Sequence, residues 1–133
     1  MRPILAALVL LAMVRADGAA DEGRYRCQVE GFYRFADAAF VRDAGSELIG
    51  ERFQVDRADG TISGFALGNA GAQQKMVLDR GSDKQAFKLL STFEVYGPYQ
   101  AVKYLYIEEF APAAEKAFFA VSGSSLLTGH CTS

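Results

Sequence analysis

From Tyr25 onward, apolar and polar residues alternate in short runs separated by glycine-bearing turns, the pattern of β-strands covered on one face. In the first run Tyr25, Cys27, Val29, Gly31, Tyr33 and Phe35 share one face, and Arg24, Arg26, Gln28, Glu30 and Arg34 mostly share the other. Residues 36–49 are open between a short helix and an excursion loop. A hairpin follows, with arms Glu51 to Asp56 and Thr61 to Phe65, because Asp59-Gly60 supplies the positive φ that a tight turn requires. Gly68-Asn69-Ala70-Gly71 is a second turn, leading to a strand at Lys75 to Leu78. Ser82 with Gln85 has the spacing of a helix capping box, yet Phe87, Leu89 and Ser91 continue the alternation, and the β context favours a strand. Gly97-Pro98 interrupts the pattern. Val102 to Ile107 resumes it, apolar on both faces, as in strands that are covered or partnered on both sides. Lys116 to Val121 and Leu126 to Cys131 complete the set. The expectation is an all-β fold: an antiparallel meander of seven or eight strands, closed as a small barrel or folded as a sandwich.

The first twenty residues break this pattern. A positive end at Met1-Arg2 precedes an uncharged apolar run from Ile4 to Val14 that is too short for a bilayer, which needs about 20 residues. Small-x-small sites follow at Val14-Arg15-Ala16 and Gly18-Ala19-Ala20, so residues 1–20 read as a secretory signal cleaved after Ala16 or Ala20. Residues 21–133 then form a single β domain that is periplasmic or secreted and leaves the membrane after cleavage. Cys27 lies well beyond the apolar run, which disfavours a lipid anchor. Loss of the signal leaves 12 basic against 15 acidic side chains, with the basic ones scattered singly. Neither a nucleic-acid footprint nor a polybasic membrane patch is present.

Export changes the reading of the two cysteines. In an oxidising compartment Cys27 and Cys131 are expected to pair, and closing a loop of about 100 residues is worth about 4–5 kcal/mol in the chain-entropy account. Such a link also requires the first and last strands to meet, which a flat open sheet cannot satisfy. His130 beside Cys131 invites a rival reading as a Cys/His nucleophile, but chain neighbours on a strand point to opposite faces. One histidine and two committed cysteines cannot supply a zinc site, so no metal or cofactor is expected.

The segments "FQVDRADGTISG", "LDRG", "YLYIEEF" and "LTGHC" together resemble a group of small exported β-proteins of Gram-negative bacteria, with a V-D-R-x-x-G hairpin, a Y-L-x-x-E-F strand and a terminal G-x-C. The resemblance covers most of residues 25–131 and implies a compartment and a shape, without an activity. Tyr25-Arg26-Cys27 and the second cysteine near the end also resemble the periplasmic inhibitors of C-type lysozyme, which are small β-barrels. That family's inhibitory serine-glycine-tyrosine loop has no counterpart, since Ser122-Gly123-Ser124 lacks the tyrosine.

Carboxylate chemistry has thin support. Glu108 and Glu109 are adjacent, so a strand sends them to opposite faces, and they read as a solvated edge. Asp56-Arg57 and Asp79-Arg80 each end a strand before a turn and read as turn capping with surface charge. A working surface is better sought in aromatics: Tyr96 and Tyr99 on a loop around Gly97-Pro98, with Tyr104 and Tyr106 on the next strand, because tyrosines bury large areas with few rotors. The functional expectation is an exported module that contacts a periplasmic or extracellular protein, or a small ligand, through these tyrosines. The rivals are a lysozyme-inhibitor-like protein, a hydrolase using Asp56, Asp79, Glu94, Glu108 or Glu109, and an envelope protein without a ligand.

Overall fold

A computed structural model of the protein describes residues 23–96 and 99–133, except the side chains of Val95, Tyr96 and Tyr99. The secretory signal expected over residues 1–20 lies outside these residues. Nine strands follow one another: β1 (Arg24–Ala36), β2 (Ala39–Arg42), β3 (Arg52–Asp56), β4 (Ile62–Ser63), β5 (Gln74–Arg80), β6 (Phe87–Tyr96), β7 (Tyr99–Ile107), β8 (Lys116–Ser122) and β9 (Ser125–Thr132). They form one antiparallel sheet in the order β4-β3-β1-β9-β8-β7-β6-β5, with β2 on β1 beyond β3. Curled into a half-barrel, this order is the expected meander with its first and last strands paired, and its open seam falls between β4 and β5.

The disulfide joins the chain's extremities as anticipated. Cys27 and Cys131 are directly opposed in the β1–β9 ladder, with α-carbons 4.0 Å apart. β9 approaches β1 so closely at this level that a β-carbon on Gly129 would lie 1.9 Å from the Gln28 carbonyl, so only glycine fits there.

Tyr25, Phe53, Phe87, Leu105, Ile107 and Leu127 are among the side chains buried on the concave face. Tyr25 meets Phe87, and Phe53 meets Phe118, each edge to face. The space bounded by Leu67, Leu89, Ser91 and Lys103 has no room for a water molecule. Closure is completed by side chains, because Gly64 (φ 134°) turns the chain out of β4 after two residues. Asn69, fully buried, holds the loop that spans the seam: its Oδ1 accepts the Ile62 N–H at 2.7 Å, and its Nδ2 donates to the Gly60 carbonyl at 2.7 Å and to Ser91 Oγ at 3.0 Å. Lys75 donates to Thr61 Oγ1 at 3.0 Å, and Arg57 Nη2 to the Arg80 carbonyl at 2.9 Å.

Four local expectations are corrected or decided. The register slips between Val29 and Gly31, so β1 carries a bulge at Glu30. One extra residue exchanges the faces beyond it: Phe32 is buried, whereas Phe35, expected to share a face with Tyr25, is exposed. Residues 36–49 are neither a helix nor a plain loop, because β2 folds back on β1 around Asp37-Ala38, and this is the ninth strand. Ser82 caps only a turn, with its Oγ accepting the N–H groups of Lys84 and Gln85, and Phe87, Leu89 and Ser91 are buried inward positions of β6. Tyr96 and Tyr99 do not lie on a loop, since they end β6 and begin β7 as ladder partners; the two-residue link between them suffices for a hairpin.

Candidate functional site

Directly opposed residues of a sheet share a face, so the register reads out the convex surface row by row. One row runs Met76, Leu90, Tyr104, Val121, Leu126 and Tyr33 across six strands and ends at Arg42. The row beside it runs Lys88, Tyr106, Phe119 and Thr128. Phe119 stacks on Tyr106 with ring centroids 4.8 Å apart and planes 19° apart, and meets Tyr104 at 6.1 Å. Phe35 and Phe40, in edge contact at 5.3 Å, carry the apolar surface onto the β1–β2 hairpin. These side chains are only partly covered: Phe119 is 37% exposed, Met76 39% and Phe35 54%. Burial pushes the Tyr104 hydroxyl pKa up, and neighbouring Tyr106 adds to the effect.

Tyr104 and Tyr106 therefore stand side by side on an outward face, as alternate residues of β7 must. The side chains of Tyr96 and Tyr99 lie outside the described residues. Phe119, Leu90 and Met76 carry no surface signal in the sequence, and Tyr33, expected on the face of Tyr25, is brought to the outer face by the bulge in β1. The one pointer was that the Val102 to Ile107 run is apolar on both faces; here the second face is left partly open.

The titratable groups are distributed among separate partners. Asp56 Oδ1 accepts the N–H groups of Ala58 and Asp59, and Asp79 Oδ1 that of Gly81, the expected turn capping. Glu94 is exposed. Glu109 departs from the solvated-edge reading: it is half-buried beyond the end of β7, where its Oε2 accepts the Tyr25 hydroxyl at 2.6 Å and its Oε1 lies 3.7 Å from Arg57 Nη1. Arg57 also lies over the Tyr25 ring at 4.9 Å, so it belongs to this cluster rather than to free surface charge. Burial, and then the bond to Glu109, push the Tyr25 pKa up. Glu109 also packs where a β-carbon on Gly81 would sit, which ties the cluster to the turn after β5.

The Cys/His and metal readings can be placed, together with one serine beside a lysine. His130 points outward from Cys131, and both sulfurs are in the disulfide, so no thiolate faces the imidazole. The imidazole has a partner the sequence did not suggest, with Nδ1 at 3.0 and 3.1 Å from the two oxygens of Glu30. Ser91 is the ladder partner of Lys103, whose pKa burial lowers, but Ser91 is 1% exposed and engaged by Asn69. No carbonyl substrate has a path to that hydroxyl. Among the described residues, no group of three or more His, Cys, Asp or Glu side chains is placed to hold a metal ion.

No family model, no curated protein and no solved structure matches this chain.

Proposed function

We propose that the protein is an exported interaction module that docks a partner protein on the convex face of its sheet, with Tyr104, Tyr106 and Phe119 as anchors. The observation that carries this reading is the partly exposed row from Met76 to Tyr33, together with the aromatic stack beside it. A soluble monomer gains nothing from apolar side chains continued across six strands toward water, and such patches mark contact surfaces. Tyrosine and phenylalanine anchors supply buried area with few rotors. The longer row ends in a cation at Arg42, not ion-paired among the described residues, whereas the row through Lys88 continues to Asp79 on β5. The complementary partner surface is therefore apolar, with a carboxylate at the margin that meets Arg42. The packed interior directs binding to the outside, and the disulfide suits an oxidising compartment.

The test places a photo-crosslinking phenylalanine analogue at Phe119 in cells that export the protein, with a second version carrying it at Lys84, exposed in the turn between β5 and β6. The expected result is a discrete adduct from position 119 that Tyr104→Asp abolishes without lowering the melting temperature, and none from position 84. No adduct from position 119, or an equal spread of adducts from both, would overturn the proposal.

A further inference from the structure

The polar end of the same convex face contains a recess of about 460 Å³ crossing β3, β1 and β9 to the residue preceding β8. Its size falls within the range of small-ligand sites, about 300–1,000 Å³. The ladders place Arg26 opposite Gln54 and Thr132, and Gln28 opposite Arg52 and His130. Two guanidinium groups thus alternate diagonally with two amides on the β3–β1 side of the recess; Gln28 Nε2 already donates to the Gly50 carbonyl at 3.4 Å and Arg26 is engaged, so Arg52 is the cation open to a ligand. His130 borders it, with its Nδ1 held by Glu30, so Nε2 is the ring nitrogen left to meet a ligand. The Cys27–Cys131 link ties β1 to β9 directly beneath, so the floor is covalently braced. Two carboxylates line the recess as well: Glu30, held on the His130 ring, and Glu115, which stands on the far wall immediately before β8.

This polarity selects a ligand. Strands lie about 4.8 Å apart, so the line of Glu115 is about 10 Å from that of Arg26 and about 14 Å from that of Arg52. An extended chain covers about 3.3–3.6 Å per residue, so three or four residues bridge the two walls. We propose that this recess binds a short peptide with both ends free, its carboxylate on Arg52 and its ammonium at Glu115. A guanidinium group takes a carboxylate bidentately, and the Glu115 carboxylate, not hydrogen-bonded to His130 as Glu30 is, takes an ammonium group. A polyanion is disfavoured, because its far end would meet Glu115.

Amide chemical-shift titration of the full mature chain with tetra-alanine tests this. Saturable shifts at Arg26, Gln28, His130 and Thr132 are expected, with binding at least tenfold weaker in Arg52→Gln and at least fivefold weaker in Glu115→Gln. Arg34→Gln, on the far part of β1, leaves binding unchanged. N-acetyl-tetra-alanine amide, blocked at both ends, gives no saturation, and citrate binds more weakly than the free peptide. The absence of saturable shifts, equal binding by the blocked peptide, tighter binding by citrate, or full binding by a folded Arg52→Gln variant would each overturn it. Because no residue of the aromatic rows lines the recess, this result is independent of the crosslinking result.

Discussion

Tyr25 is the residue at which local pattern and long-range chemistry part. Alternation assigns its ring to the inner face, and the ring is fully buried there against Phe87. Nothing near it in the chain supplies a partner for the hydroxyl, and the one it has, Glu109, lies 84 positions away. That is why the Glu108-Glu109 pair reads as an edge in sequence, while one of the two is drawn against a core tyrosine. The folded chain raises the Tyr25 pKa above its ordinary value of 10.0, chiefly by burial and then through Glu109, against the opposing pull of Arg57. Folded protein therefore holds this proton more tightly than unfolded chain does. The associated stability is fully present below pH 10 and is lost as pH rises through the elevated folded pKa. Urea unfolding of the wild type is expected to show a declining free energy above pH 10. Tyr25→Phe should lack that part of the decline and should cost about 1 kcal/mol at pH 7 through the lost hydrogen bond. Parallel curves for the two proteins above pH 10 would refute the assignment.

Among the elements, the two hairpins that open the sheet differ in how clearly their turns announce themselves. Asp59-Gly60 is a recognised turn signal, and Gly60 takes φ 76° against Leu89 and Val77, where a β-carbon would collide. Asp37-Ala38 has no such signal, although both residues take positive φ, 51° and 64°. Aspartate tolerates that region, and alanine does so only at a cost of about 1–2 kcal/mol. The β1–β2 turn forms because its surroundings impose it: the Phe35 N–H bonds the Ser124 carbonyl, the Asp43 N–H bonds that of Phe32, and Phe40 packs on Phe35. Ala38→Gly should therefore raise stability by about 0.5–1 kcal/mol, less than the full strain because glycine also loses more entropy on folding. A higher thermal midpoint with unchanged circular dichroism is the expected readout; a fall would refute the strain at this turn.

For the molecule as a whole, the decisive link joins positions 104 residues apart. Cys27→Ala with Cys131→Ala is expected to lower the unfolding free energy by about 2–5 kcal/mol, measured in urea against the oxidised wild type. The sheet should persist in the double variant, because the β1–β9 ladder pairs residues on both sides of the link and the core lies beneath it. A difference under about 0.5 kcal/mol would make the covalent closure redundant with the ladder. Strand identity, the Asp59-Gly60 turn and the pairing of two cysteines were legible from residue order alone, because each depends on neighbours in the chain or on a count that admits one answer. The inward turn of Phe32, the ninth strand, the seam at β4 and β5, and the joining of Tyr33, Tyr104 and Phe119 on one surface were not. Those follow from a single-residue bulge and from ladder register, and a shift of one residue between distant strands exchanges every inward and outward side chain without altering the local pattern.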